Sequence, residues 1–199
     1  DMGANMEKLV DIQEDGKTLT IRDTDFLIEN DVIPDDKELF DMYRGNVKAI
    51  VITHGHLDHI WAIPFLALKY NCPIIATPFT IKVIEHLMSD FKVKSNKLIK
   101  LNTGTKYKLS DKITVELVHI THSIPNSAMI ALHTPYGILM YANDWKLDDT
   151  PTLGRKPDYE RMNELREEGI FSLIADSTRV DRDGYWFSLD LKISIEHSG

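Results

Sequence analysis

The chain has 199 residues, 43% of them apolar and 27% charged, with a formal net charge of −8 and a single cysteine, Cys72. That length supports one sizeable core, and no apolar run reaches the ~20 residues of a membrane-spanning helix, so no membrane partner is expected. One cysteine excludes an internal disulfide and suits a reducing, cytoplasmic setting, and the acidic balance on its face opposes polyanion binding, though bound divalent cations and a local basic groove both escape that count.

In chain order, the opening "DMGANMEKL" has no strand before it, as expected of a fragment. "DGKTLTIRD" alternates and predicts a strand, and "LIENDVIPDDKELFDMY" a loop followed by a short helix. "VKAIVIT" is a continuous β-branched run, the pattern of a strand buried on both faces. "HLDHIWAIPFLALKYN" has apolar residues at helical spacing, with Pro64 able to kink or delay the helix. "PIIAT" predicts a short buried strand with Cys72 just before it as a buried residue, and "PFTIKVIEHLMSDF" a helix with Thr77 as N-cap and Pro78 at its first position. "KLIKLN", "TKYKLS" and "KITVELVHIT" predict strands. "SAMIALHTPYGILMYAND" predicts a hairpin around Pro135, Tyr136 and Gly137, and "DYERMNELREEGI" an amphipathic helix closed by Gly169. "FSLIADS" predicts another buried strand, and "YWFSLDLKISIEHSG" alternates like a strand without an evident partner. Strands outnumber helices, an order that suits an α+β fold with two mixed β-sheets face to face and helices outside.

The chemistry concentrates in His54-Gly55-His56-Leu57-Asp58-His59, immediately after the buried run. A strand end is a rigid mount, and imidazole nitrogen with carboxylate oxygen is a donor set for zinc, with manganese accepting the same set less tightly. His54 and His56 can grip one cation, while Asp58 and His59 face a second. Later strand ends supply His122 and Asp144. Asp1 is a candidate for a carboxylate that orients a ligand histidine. Ser123 can contact a substrate phosphate or close a local turn.

The set HxHxDH, a later His and an Asp after a hairpin resemble the metallo-β-lactamase fold superfamily. "HSIPNS", "TPYGILMYANDWKLDDTP" and "SLIADSTR" closely resemble the ribonuclease J family of its β-CASP branch. The resemblance implies an αββα sandwich over residues 1–183, with 184–199 a tail of uncertain structure. It also implies a dinuclear zinc site. His54, His56 and His122 would hold one metal, Asp58 and His59 the other, and Asp144 would bridge them. Asp1 matches the family's first acidic motif and Asp176 the acid of the β-CASP branch's first motif. With Asp58, which can also orient the attacking hydroxide, these are the catalytic candidates. The implied function is hydrolysis of RNA by a zinc-activated hydroxide, internally and/or from the 5′ end, with homo-oligomer formation left open.

Some family features have no match. The β-CASP domain and the later family histidines are not matched, and Asn143 stands where the family has a glycine before the bridging Asp. The second metal is therefore expected to be held weakly. Two alternatives stay open: another hydrolase on the same fold, acting on a lactone, thioester or small phosphodiester, and a catalytically incomplete metal-binding module.

Overall fold

The computed structural model describes residues 1–14, 16, 18–94, 97–178 and 181. The alternation expected to form a strand at 185–199, and with it the tail 184–199, lies outside the described residues. The chain divides into two compact units, Asp1–Asn102 and Thr103–Gly199.

The first unit contains helices α1 (Met6–Glu14), α2 (Thr24–Glu29) and α3 (Lys37–Tyr43), strand β1 (Ile50–Val51), short helices α4 (Leu57–Ile60) and α5 (Ile63–Leu66), strand β2 (Ile74–Ala76), helix α6 (Pro78–Asp90) and strand β3 (Leu98–Lys100). Its sheet has the order β1-β2-β3 and is parallel throughout, because each strand returns through a helical connection. The "VKAIVIT" run is continuously apolar for that reason, since a parallel strand is covered on both faces. Ile52, Ile60, Ile63, Ile74, Ile81 and Ile84 form the fully buried centre of this unit's core.

Two expectations for this unit fail for identifiable reasons. Over its described residues, the strand expected at "DGKTLTIRD" gives way to a 3₁₀ turn, Ile21–Asp23, leading into α2. The Thr20 hydroxyl accepts from the Arg22 amide at 3.3 Å, and the Thr20 amide donates to Asp23 Oδ2 at 2.9 Å. That reciprocal cap satisfies locally the groups a strand would have paired with a neighbour. The single helix expected from residue 57 is broken into α4, α5 and a 3₁₀ turn at Ala67–Tyr70. Pro64, in the first turn of α5, has no N–H with which to continue the ladder from α4. The Ala62 amide leaves the ladder altogether and donates to the Met2 carbonyl at 3.1 Å.

The second unit holds β4 (Lys106–Lys108), β5 (Thr114–His119), β6 (Ala128–Thr134), β7 (Gly137–Ala142), helix α7 (Tyr159–Gly169) and β8 (Ile170–Ala175). The strands lie in sequence order in one mixed sheet, antiparallel from β4 to β7, with β8 parallel to β7 after the α7 crossover. The hairpin turns where expected. Thr134 pairs with Gly137, whose φ of +119° is one that a side chain would resist. Val118, Ile120, Ala131, Met140 and Leu165 form the core between sheet and α7.

β8 departs from its expectation of burial. Phe171 is 55% exposed and Leu173 63%. The strand occupies the edge of the five-stranded order, and no strand flanks its outer side among the described residues.

α7 is fastened to the sheet by charge as well as by Leu165. Glu116, in the middle of β5, is only 1% exposed. Its Oε1 accepts from Arg161 Nε at 2.6 Å, and its Oε2 from Arg161 Nη2 at 3.0 Å and from His133 Nε2 at 2.7 Å. Burial by itself pushes the Glu116 carboxyl up. The hydrogen bonds from Arg161 and His133, with the charges of Arg161 and Lys106, outweigh it and hold the group below its ordinary value. A depressed carboxylate contributes stability above its unfolded value of about 4.3 and loses it as pH falls through the lower folded value. Arg161→Ala strands the buried charge and should cost about 3 kcal/mol in urea unfolding at neutral pH. In Glu116→Gln, the share of acid destabilisation due to this group should disappear from unfolding curves taken below about pH 4.3.

Candidate metal centre

In the first unit, the apolar strand β1 and the following Ile52 carry the chain into the core and deliver Thr53 and His54, both buried, at its end. His56 takes an extended conformation as N-cap of α4, and Asp58 and His59 stand in that helix's only turn. All the histidines of the motif therefore leave one strand-to-helix connection, as the spacing predicts.

Residues 1–3 run alongside α4. The Met2 amide donates to the His59 carbonyl at 2.7 Å. A Cβ on Gly3 would lie 1.5 Å from the Asp58 carbonyl oxygen, so only glycine allows this approach. The approach seats the Asp1 carboxylate, 10% exposed as a side chain, against the motif. Asp1 Oδ1 accepts from the Thr53 amide at 2.8 Å, and Oδ2 accepts from the Thr53 hydroxyl at 2.8 Å and from His59 Nδ1 at 3.1 Å.

These bonds assign two protons. The Thr53 hydroxyl gives its single hydrogen to Asp1, so it accepts from His54 Nδ1, 3.0 Å away. His54 is thereby the Nδ1–H tautomer, with its Nε2 lone pair turned to His56 Nδ1 at 3.0 Å. Likewise Asp1 takes the Nδ1 proton of His59. His59 Nε2, on the other side of that ring, faces Asp58 Oδ2 at 3.3 Å. Nitrogens bound at 2.0–2.1 Å to a tetrahedral zinc lie about 3.3 Å apart, so both spacings fit a shared divalent ion. A carboxylate that fixes a ligand histidine's tautomer is the usual support of such a site.

In the second unit, His122 follows β5 and Asp144 follows β7, with His122 Nε2 3.4 Å from Asp144 Oδ2. Thr121 sets this spacing. Its hydroxyl donates to the Lys146 carbonyl at 2.5 Å and accepts from the Asp148 amide at 3.2 Å, and its carbonyl accepts from the Lys146 amide at 2.9 Å. The loop carrying His122 is thus stitched to the loop carrying Asp144. Burial and the Asp144 charge together push the nearby Tyr141 hydroxyl up.

Other sequence candidates have local partners. Asp176 Oδ1 accepts from the Thr178 amide at 2.9 Å and from its hydroxyl at 2.5 Å, closing a turn after β8. Ser123 is exposed beside His122. Trp61 packs on Phe65 and Phe91, with ring centres 4.8 and 5.6 Å away, as a core residue. His119 Nε2 donates to the Arg155 carbonyl at 2.9 Å. Burial raises the Cys72 thiol, as befits an inert core cysteine.

Sequence reasoning missed Gly3, Thr53 and Thr121. A signal for the two threonines was present. Ile-Thr-His occurs twice, as Ile52-Thr53-His54 and Ile120-Thr121-His122. In each copy the isoleucine is buried and the threonine hydroxyl anchors the segment on which the histidine stands.

Residues 38–149 match the family model of the Metallo-beta-lactamase superfamily. The chain belongs to the metallo-beta-lactamase superfamily. Its two sheets with accompanying helices are the α+β composition expected of such a domain. Ribonuclease J of Methanocaldococcus jannaschii is 42% identical over 186 residues, 92% of this chain and 41% of that protein. Ribonuclease J of Pyrococcus abyssi is 39% identical over 183 residues, 90% of this chain and 40% of that one. The chain thus spans about two fifths of the length of these relatives. A solved structure of a protein of unknown function from Enterococcus faecalis V583 superposes over 71% of this chain and 34% of that one at 19% identity, with a TM-score of 0.49, a likeness that decides nothing about chemistry. Membership of the metallo-beta-lactamase superfamily and the His/Asp donor groups together suggest metal binding. Among the described residues no helix is long and apolar enough to cross a membrane.

If the Asp1–Thr53 bonds hold the metal-binding tautomers, Thr53→Val and Asp1→Asn should each weaken retention of a divalent ion by about 10–100-fold in chelator competition. Gly3→Ala, which touches no donor atom, should weaken it comparably by displacing Asp1, with far-ultraviolet circular dichroism unchanged.

Proposed function

We propose that residues 1–183 form the metallo-β-lactamase-like portion of a cytoplasmic ribonuclease, an enzyme that hydrolyses RNA phosphodiesters internally and/or from the 5′ end. The observation that carries this reading is the gathering of donor atoms in one strand-to-helix connection, with His54 Nε2 3.0 Å from His56 Nδ1 and His59 Nε2 3.3 Å from Asp58 Oδ2. Imidazole nitrogens and carboxylate oxygens at these spacings suit a divalent ion, and identity to ribonuclease J proteins of 42% and 39% supports RNA as the substrate.

In this reading His54, His56 and His122 hold one divalent ion, Asp58 and His59 hold a second, and Asp144 serves both. The donor set of imidazole and carboxylate suits zinc, with manganese as the other candidate. When bound, such a pair supplies an activated water and positive charge that offsets the charge gathering on phosphate oxygens during in-line displacement. The chain's own groups prepare that chemistry. Asp1 and Thr53 keep the Nδ1 protons of His59 and His54 away from the metal-facing nitrogens. Asp58, with 49% of its side chain exposed, can accept a hydrogen bond from the attacking water and orient it. The exposed Ser123 hydroxyl can donate to a phosphate oxygen. Asp176 acts at a distance, through the turn it closes with Thr178. With three side chains at most on the second ion, that ion is the more easily lost. Self-association is compatible with the reading but is not needed by it.

Purified protein should contain up to two zinc ions per chain and should cleave a 5′-monophosphorylated RNA oligonucleotide. His56→Ala and Asp144→Asn should each lower that cleavage at least 1,000-fold, on the scale of losing a group that stabilises transition-state charge, roughly 10²–10³ or more. Cleavage of a lactone offered in parallel, with RNA untouched, would replace the ribonuclease by another hydrolase of the same fold.

A further inference from the structure

The second unit contains an open cleft of about 610 Å³. His122, Ser123, Asn126, Lys146 and Arg155 are among the residues that line it. That volume lies in the range of small-ligand sites, roughly 300–1,000 Å³, and accommodates one or two nucleotides. His122, one of the proposed metal donors, is itself part of the wall.

Its charges are distinctive for so acidic a protein, in which 31 Asp and Glu outnumber 23 Lys and Arg. Lys146 is half-buried, and its ammonium has no carboxylate partner among the described residues. Its backbone is pinned on both sides, its amide donating to the Thr121 carbonyl at 2.9 Å and its carbonyl accepting from the Thr121 hydroxyl at 2.5 Å, so the side chain springs from a rigid base. Arg155 is held at the other side. Its Nη2 donates to Thr103 Oγ1 at 3.1 Å, its carbonyl accepts from His119 Nε2 at 2.9 Å, and Asp158 is a loose partner at 3.8 Å. The one carboxylate of the lining, Asp148, is turned to its own loop, where Oδ1 accepts from the Thr150 amide at 2.9 Å. Two cations with unspent donors and an exposed apolar surface at Leu153 leave room for an anion joined to a flat, partly apolar group. A nucleotide has that chemistry, with phosphate for the cations and a base for the apolar wall.

Resting on the ribonuclease reading, we propose that this cleft is the subsite for the nucleotide next to the scissile bond, and that Lys146 and Arg155 grip the RNA backbone phosphates that flank the reacting one. Lys146 acts as a point charge. Arg155, with Nη1 and Nε beyond its Thr103 bond, presents a fork. The subsite selects an oligonucleotide over any substrate with a single ester, because a lactone or thioester has no second anion to place there.

The test uses Lys146→Gln, Arg155→Gln and the double variant in the full natural chain, with binding of a fluorescein-labelled single-stranded RNA 12-mer followed by anisotropy across a salt series. Each single variant should weaken binding about 5–10-fold and reduce the salt slope by about 0.7, the increment for one phosphate contact on a single strand. Lys146→Arg should restore most of the loss, bound zinc should be unchanged, and in cleavage assays the loss should fall on KM rather than kcat. RNA binding that depends on both cations without any cleavage would sustain the subsite and overturn the ribonuclease. RNA cleavage with affinity and salt slope unchanged in the double variant would sustain the ribonuclease and overturn the subsite. A parent chain that neither binds nor cleaves RNA would overturn both.

Discussion

The candidate centre depends on where two protons sit. Asp1 accepts from the Thr53 hydroxyl and from His59, and that hydroxyl in turn accepts from His54. Each imidazole has one proton to place when neutral, and both are committed away from the metal-facing side. In that neutral form the other nitrogen of each ring is left as the donor atom for a metal. A histidine cluster without such support would be a set of rings free to choose either tautomer, and would lose affinity through that freedom.

The backbone exists to keep that arrangement in place. β1 and Ile52 are anchored by parallel pairing to β2, so the strand end cannot drift. The segment at residues 1–3 reaches the motif because Ala62 and Met2 exchange a hydrogen bond where the helical ladder breaks, and because Gly3 has no side chain to hold it off Asp58. The broken helix at Pro64 is thus part of the support of the site, since a continuous helix would have used the Ala62 amide internally. In the second unit the same economy recurs: Thr121 holds two loops together, and the buried Glu116 with Arg161 and His133 keeps α7 on the sheet that carries those loops.

Charge is managed locally rather than globally. The chain is acidic overall, yet its charged groups are sorted into a buried ion cluster, a carboxylate-supported histidine group and a cleft whose one carboxylate is occupied by its own loop. Net charge governs long-range attraction and solubility, and a groove of a few side chains can reverse its sign within one Debye length, about 8 Å. The exposed Phe171 and Leu173 on β8 belong to the same lesson about context: apolar residues at the edge of a sheet are buried only by what flanks that edge.

Much of the candidate site's donor chemistry could be read without a fold. Donor chemistry is written in residue identity, and the spacing of His54, His56, Asp58 and His59 at the end of a β-branched run already implied one strand-to-helix connection, because strand and helix periodicities differ so strongly. The hairpin at Gly137, helices α6 and α7 and the parallel core strands were readable for the same reason: their signals are local. The capped turn at Thr20 was misread because alternation can arise without a partner strand, and the exposure of β8 because hydrophobicity states a preference for burial and not its fulfilment. Gly3, Thr53 and Thr121 were invisible for another reason. Their roles lie in contacts with residues 25 to 55 positions away, and a hydrogen bond across that distance exists only after the chain has folded. Sequence by itself determined which atoms could bind a metal; tertiary structure decided which neighbours those atoms face, because a hydrogen bond depends on the partner the fold brings to it.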